Sequence, residues 1–185
     1  MSTRVGTGEV SRGSGTPVRD LRADARSLPI EEFADRYGRA FLLLSAADLA
    51  TPRGPASTEV RLDDDPKERA ESTASLALIA YSVRRNGRSA SHLITLGRAS
   101  ENDVVVPDVS ISRFHAFVKE GANGEWLIHD AGSSNGTTVN GHSVPQQGHG
   151  APVELKSGDN VRLGQVELTF LEAGALVAYA LQVER

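Results

Sequence analysis

The stretch from Gly97 to Gly141 constrains the fold most, because short apolar runs alternate there with small polar clusters. The runs at 104–106, 114–118, 126–128 and 137–139 have the length and the β-branched or aromatic composition of strands. Asn-Gly pairs at 123–124 and 140–141 supply residues that tolerate positive φ, as tight hairpin turns require. The polar clusters are therefore expected at the ends of antiparallel strands.

These polar clusters combine arginine with serine and asparagine on predicted loops. They are Gly97-Arg98, Ser112-Arg113-Phe114-His115, Ser133-Ser134-Asn135-Gly136-Thr137 and Asn140-Gly141. A guanidinium offers a planar fork of N–H donors that fits phosphate, and hydroxyl, amide and backbone N–H groups can fill the remaining lone pairs. The pattern indicates a site for a tetrahedral oxyanion.

In order and spacing, the clusters closely resemble the forkhead-associated (FHA) domain. The family's Gly-Arg, Ser-Arg-x-His, Ser-x-Asn-Gly-Thr and following Asn-Gly occur here in the same sequence order, and the resemblance covers about 76–172. It implies an all-β fold, an antiparallel β-sandwich of the FHA type (SMAD/FHA-like) at 75–172. The chain as a whole resembles small bacterial FHA proteins with an N-terminal extension.

The resemblance also assigns roles to individual residues. By it, Arg98 is the main phosphate ligand, Ser112 bonds the phosphate and Arg113 assists. Ser134 and Asn135 contact the phosphate and the peptide backbone, while Asn140 reaches the peptide main chain or braces the loops. The residues that support the site are Gly97, His115, Gly136 and Thr137.

The function that the resemblance implies is phosphothreonine-dependent protein binding, as a non-catalytic signalling adaptor that reads the marks of Ser/Thr kinases. The expected partner is a phosphothreonine-containing protein or peptide, such as a kinase or its substrate. One alternative remains, a phosphate-independent scaffold that uses the sandwich and an N-terminal helix for assembly.

Composition excludes several other classes. The net charge of −4 argues against general nucleic-acid or acidic-membrane binding. The chain has no Cys, which removes thiolate metal sites, and His142 and His149 lack a third patterned ligand, so neither a metal nor another cofactor is expected. No segment has the apolar core of a signal peptide or the length to span a bilayer, so a cytoplasmic location is expected.

Catalysis finds little support in the sequence. Ser112, His115 and Asp130 are the residue types of a nucleophilic triad. Positions 112 and 115 on one strand would face opposite sides of the sheet, and no Gly-x-Ser-x-Gly elbow occurs. The sequence predicts a protein that is not an enzyme.

The segments outside the sandwich are predicted from composition and periodicity. Residues 1–26 have the composition of a disordered tail, and 27–74 form an extension with a short helix at 29–38, a short strand at 41–44 and a linker at 51–74. This helix and strand either pack on the edge or open face of the sandwich or dock a partner. Residues 173–185 are expected to form a short helix or one more strand.

Three threonines of the tail, Thr3, Thr7 and Thr16, suggest a further hypothesis. If one of them is phosphorylated on a mobile tether, it could occupy the phosphate site of its own chain.

Overall fold

A computed structural model describes residues 15–45, 78–87 and 92–182, and strands predominate in these ranges. The strands are β1 (Thr16–Pro17), β2 (Ala40–Ser45), β3 (Leu78–Ser82), β4 (Ile94–Gly97), β5 (Val104–Val105), β6 (Ala116–Glu120), β7 (Trp126–Asp130), β8 (Thr137–Val139), β9 (His142–Ser143), β10 (Val153–Leu155), β11 (Asn160–Leu163) and β12 (Val166–Glu172). The helices are α1 (Val18–Ser27), α2 (Ile30–Tyr37) and α3 (Ala173–Gln182).

The strands form two sheets. The larger has the order β1-β3-β2-β12-β11-β8-β9, and the smaller has the order β10-β7-β6-β4-β5. Neighbouring strands are antiparallel, except that β4 and β5 are parallel. This arrangement confirms the predicted antiparallel β fold.

The two sheets share one apolar core, built from side chains that alternate inward along each strand. In β12, Leu168 and Phe170 are buried whereas Glu167 is exposed. Trp126 of the smaller sheet lies edge-on to Phe170 of the larger sheet, with ring centroids 6.3 Å apart. The sheets are therefore packed face to face, as a sandwich requires.

Strand β2 is an inner strand of the larger sheet. It pairs with β3 on one side and with β12 on the other, so that Leu43 lies opposite both Ala80 and Thr169. Its residues from Ala40 to Leu44 are all buried, because the sandwich core covers one face and helices cover the other.

This position differs from the expected place on the edge or open face of the sandwich. Strand β2 precedes residue 75, so a domain boundary at 75 would separate strands that pair within one sheet. The predicted linker at 51–74 lies outside the described residues.

The three helices form a layer on the outer face of the larger sheet. Helix α1 packs against α3, and α2 contacts both of them. Phe33 and Leu176 are buried in this layer together with Phe41 of β2. The helix at Ile30–Tyr37 is the one that the sequence predicts at 29–38, and residues 173–182 form a helix rather than a strand.

Residues 15–26 correct the prediction of a disordered tail. Helix α1 begins at Val18, and its residues Val18, Leu21 and Ala25 lie on one buried face, which packs on α3. Thr16 pairs with Ala80 in β1, so it is not on a mobile tether, whereas Thr3 and Thr7 lie outside the described residues.

Over the described ranges, no helix is long and apolar enough to cross a bilayer.

Candidate functional site

Three of the four predicted polar clusters meet at one end of the sandwich, in three loops. Loop A is residues 98–103, loop B is residues 106–115 and loop C is residues 131–136. The backbone N–H of Arg98 donates to the carbonyl of Ser112 at 3.1 Å, which joins loops A and B. The backbone N–H of Ser134 donates to the Oγ of Ser112 at 3.0 Å, which joins loops B and C.

Arg98 is held at the end of β4 by the close contact that Gly97 allows. A Cβ at position 97 would lie 2.3 Å from the carbonyl oxygen of Arg113, so any larger residue would push loops A and B apart. The Arg98 side chain is exposed, and its guanidinium has no ion pair or hydrogen bond with the described part of the chain. Its donors are available to a ligand.

Ser112 and Ser134 place two hydroxyl groups beside each other on loops B and C. Their Oγ atoms lie 3.4 Å apart, and both residues are at least partly exposed. Hydroxyl groups can rotate to donate, so this pair can bond the oxygens of one tetrahedral anion. Arg113 follows Ser112 directly, is exposed, and likewise has no ion pair within the described residues.

His115 connects loops B and C from inside the protein. Its Nδ1 accepts the backbone N–H of Ser112 at 2.9 Å, so the ring proton is on Nε2, which donates to the carbonyl of Gly136 at 3.1 Å. The residue is fully buried. Desolvation lowers the pKa of His115, although the bond to Gly136 and the charge of Asp130 oppose that shift. The imidazole is therefore a neutral brace.

The same contacts argue against a nucleophilic triad. The imidazole of His115 is bonded to the backbone N–H of Ser112 and not to its hydroxyl group. The carboxylate of Asp130 accepts from residues 132, 133 and 137 of its own segment. Among the described residues, these three groups do not form a relay.

Asp130 instead shapes loop C. Its carboxylate accepts the N–H of Gly132 at 2.8 Å, the N–H and Oγ of Ser133 at 2.8 and 2.6 Å, and the Oγ1 of buried Thr137 at 2.7 Å. Burial raises the pKa of Asp130, but these four bonds outweigh burial, and the net result is a pKa below the ordinary value. Sequence analysis missed this role, although an Asp followed by Gly-Ser two residues later is typical of an Asx turn.

Ser110 is a second residue that sequence analysis did not place in the site. Its carbonyl accepts from the Nδ2 of Asn135 at 2.8 Å, which ties loop B to loop C. Its Oγ donates to Asp108 and accepts the backbone N–H of Gln165 in the turn between β11 and β12. Asn135 is therefore engaged with loop B in this structure.

Asn140 lies apart from the loops, at the β8–β9 turn. It is three residues beyond Thr137, which is about 10 Å along a strand. Its Nδ2 donates to Asp159 at 2.8 Å and its Oδ1 accepts the backbone N–H of Asn160 at 2.9 Å. Of the two roles that the resemblance allows, these contacts match the brace.

Metal-binding chemistry has no support in this part of the chain. The described residues contain no group of three or more His, Asp or Glu side chains placed to hold an ion. The site combines arginines, hydroxyl groups and backbone donors, which suits an anion.

Comparison with known proteins gives this arrangement a family. The family model "FHA domain" matches residues 94–164. The oxoglutarate dehydrogenase inhibitor of Corynebacterium diphtheriae is 38% identical over 78 residues, which are 42% of this chain and 50% of that protein. The glycogen accumulation regulator GarA of Mycolicibacterium smegmatis is 41% identical over 76 residues, which are 40% of this chain and 43% of that protein.

A longer match occurs with an ABC transporter ATP-binding/permease protein, Rv1747, of Mycobacterium tuberculosis. It is 36% identical over 101 residues, 52% of this chain but 11% of the transporter. The chain thus spans half or less of the length of these curated relatives. Among solved structures, the FHA domain of FhaA is 28% identical, with a TM-score of 0.39 over 49% of this chain and 86% of that chain. The family match covers strands β4 to β11 and all three loops of the site, and we conclude that residues 94–164 of this chain belong to an FHA domain.

Proposed function

We propose that this chain is a phosphothreonine-dependent protein-binding module and that loops A, B and C form its phosphate site. The observation that carries the proposal is that the backbone of Arg98 is bonded to Ser112, whose hydroxyl group is in turn bonded to Ser134, while the Arg98 guanidinium has no ion pair or hydrogen bond with the described residues. A phosphate on threonine has a charge of about −1.5 to −2 near neutral pH and three strong acceptor oxygens. Arginine and hydroxyl donors can satisfy those oxygens with charge-assisted bonds.

In this mechanism the ligands and the supporting residues have separate tasks. Arg98, Ser112 and Ser134 bond the phosphate, and Arg113 adds a second positive charge. His115 and Asn135 hold loops B and C at the required separation, while Asn140 braces the β8–β9 turn. Hydrogen bonds already join the loops, so binding requires little further ordering of the chain. We expect a dissociation constant near 1 µM, which corresponds to a binding free energy of about −8 kcal/mol.

We further propose that the module is not an enzyme and acts as a cytoplasmic adaptor. Two of its relatives are named as an inhibitor and a regulator, which supports a regulatory role. The partner is a phosphothreonine-containing protein, either a Ser/Thr kinase or its substrate, because the mark must be written by such an enzyme.

The alternative of a phosphate-independent scaffold has weaker support. It requires an apolar helix face that is open to a partner, whereas Phe33 is buried against the sheet. The Tyr37 hydroxyl is bonded to Asp24 at 2.6 Å. Most of the predicted docking face is thus used inside the protein.

A titration with matched peptides tests the proposal. Two peptide libraries have the same sequences, except that one carries phosphothreonine and the other plain threonine at a fixed position. We expect binding of the phosphorylated set alone, weakened by roughly 2–4 kcal/mol in Arg98→Ala. Arg19→Ala, on the exposed surface of α1, is the control and should bind as the wild type does. Equal binding of both peptide sets would overturn the proposal and favour the scaffold.

A further inference from the structure

A groove of about 540 Å³ lies directly beside the phosphate-binding loops. Successive backbone bonds define its position: Arg98 N–H donates to Ser112 at 3.1 Å, and Ala99 N–H donates to Arg113 at 3.3 Å. The first pair belongs to the proposed phosphate site, and the second pair lines the groove. The groove therefore begins one residue beyond the phosphate ligands.

The polar groups in the floor of the groove already have partners. The Nδ2 of Asn102 donates to the carbonyls of Ala99 and Arg113 at 2.9 and 2.6 Å. The Oγ1 of Thr95 donates to the carboxylate of Asp103 at 3.1 Å. These hydrogen bonds fix the floor, so these polar groups do not need hydrogen bonds from a ligand.

The walls of the groove, in contrast, have exposed groups that could contact a ligand. Phe114 is 46% exposed, although its neighbour His115 is fully buried. Glu101 is also exposed, and its carboxylate has no ion pair with the described part of the chain. An aromatic ring and a carboxylate at one groove together suit a long cationic side chain, whose stem is apolar and whose end is positive.

We propose that this groove binds a lysine or arginine side chain of the phosphopeptide, within two residues of the phosphothreonine. The inference rests on the proposed function. An extended peptide advances about 3.3–3.6 Å per residue, so the side chain next to the phosphothreonine, or the one after it, reaches a groove that begins one residue from the phosphate ligands. The side-chain stem packs on Phe114 and Ala99, and the cation pairs with Glu101 and with the face of the ring.

Among the described residues that line this groove, Arg113 is the one cation that could repel such a ligand. It directly follows Ser112, and a bound phosphate has more negative charge than the Glu101 carboxylate. The phosphate therefore attracts the Arg113 guanidinium. Because the Asp103 carboxylate is buried and bonded to Thr95, Glu101 is then the exposed charge of the groove that selects the peptide side chain. If Arg113 instead stayed in the groove, an acidic side chain would be preferred.

Peptide sets with one varied position test the inference. Each peptide carries phosphothreonine, with Arg, Gln or Glu at one position between −2 and +2, and dissociation constants are measured for the wild type, Glu101→Gln and Glu101→Lys. We expect one position at which the wild type prefers Arg over Glu by about three- to tenfold, the scale of one exposed ion pair with one exposed cation–π contact. The preference should vanish in Glu101→Gln and reverse in Glu101→Lys.

Two further variants separate the groove from general effects. Phe114→Ala should weaken the Arg peptide more than the Gln peptide, since only the cation uses the ring. Glu167→Gln, on the larger sheet, should leave every preference unchanged. These substitutions are all at exposed residues, so the fold is expected to survive them.

The outcomes distinguish this inference from the function on which it rests. If phosphorylated peptides bind but no position shows a charge preference, or if the preference survives Glu101→Gln, the groove assignment is wrong. A preference for Glu in the wild type would overturn it in favour of Arg113. If no phosphorylated peptide binds better than its unphosphorylated match, the proposed function itself fails.

Discussion

The backbone N–H of Gln165 donates to the Oγ of Ser110 at 3.1 Å, and this bond connects the β11–β12 turn to loop B. The preceding residue, Gly164, donates its N–H to the carbonyl of Gly136 in loop C at 3.0 Å. One turn therefore holds two of the three loops of the proposed phosphate site, although it carries none of the proposed ligands. The separation of Ser112 from Ser134 depends on this turn as well as on His115.

Gly164→Ala is expected to weaken phosphopeptide binding by at least about tenfold and to lower the free energy of unfolding by roughly 1–3 kcal/mol. Gly164 has a φ of +63°, and a Cβ there would lie 2.4 Å from the carbonyl oxygen of Ser110. Loop B would have to move. Calorimetric titration and urea unfolding measure the two effects. Gly141→Ala is the matched control, because Gly141 has a φ of +81° and nothing within 4 Å of its Cβ position. Equal loss of affinity in both variants would show that loop position is not the cause.

Asp130→Asn is expected to destabilise the protein by roughly 1–3 kcal/mol at pH 7, because an amide cannot accept all the bonds that the carboxylate accepts from Ser133, Thr137 and Gly132. The pKa of Asp130 is lower in the folded chain than its ordinary value of 3.8, so the stabilising effect is present above pH 3.8 and is lost as the pH falls further. Urea unfolding of both proteins between pH 2.5 and 7 should show the two stabilities converging at the acid end. A constant difference over that range would contradict this role.

The stability of the protein is expected to fall as the pH decreases below 6.5, in part because of His115. The unfolded chain binds a proton there with the ordinary pKa of 6.5, whereas burial lowers the pKa in the folded chain. Protonation therefore favours unfolding, and the contribution of His115 is complete above pH 6.5. The slope is at most about 1.4 kcal/mol per pH unit for one proton.

His115→Gln measures that contribution, since glutamine does not titrate. Its unfolding free energy should be lower than that of the wild type at pH 7.5, and the difference should shrink towards pH 5. A difference that does not vary with pH would mean that His115 titrates normally in the folded protein.

Leu21→Ala in α1 is expected to cost about 2–5 kcal/mol of stability, as substitutions that leave a cavity at a buried leucine do. Leu21 is 2% exposed and packs in the layer with Leu176 of α3. At temperatures where the variant stays folded, phosphopeptide affinity should match the wild type. Leu21 packs in the helical layer, on the opposite face of the larger sheet from the core that the strands bordering loops A, B and C share. Asp35→Ala, on the exposed side of α2, should change stability by less than about 0.5 kcal/mol. No loss of stability in Leu21→Ala would show that α1 is not part of the folded unit.

Much of the sandwich could be predicted from the sequence, because short apolar runs alternate with small polar clusters and Asn-Gly pairs mark two of the turns. The sequence also predicted that Arg98, Ser112 and Ser134 lie on loops at strand ends, and the structure brings these loops together. Where sequence reasoning failed, the deciding contacts were distant in the chain.

Helix α1 shows this limit clearly. Its apolar residues Val18, Leu21 and Ala25 are few among charged ones, so local composition indicates disorder. The surface that buries them is on α3, about 150 residues later in the chain. Likewise, the apolar run at 41–44 indicates a strand, but its two partners, β3 and β12, could not be identified from the run itself.

Asn135 shows a different limit. Its residue type and position suit contact with a bound peptide, yet its amide is bonded to the carbonyl of Ser110. A sequence motif indicates which residues gather at a site, but only the coordinates show which of them already bond each other.

The inner position of β2 also means that two separate parts of the chain form one sheet. Residues 15–45 contribute a central strand and two helices, and residues 78–182 contribute strands on both sides of that strand. A single cut of the chain between residues 46 and 77 would leave Leu43 paired with Ala80 and with Thr169. The two fragments are thus natural halves of a split protein, which should stay associated after cleavage and should regain one shared sheet when mixed.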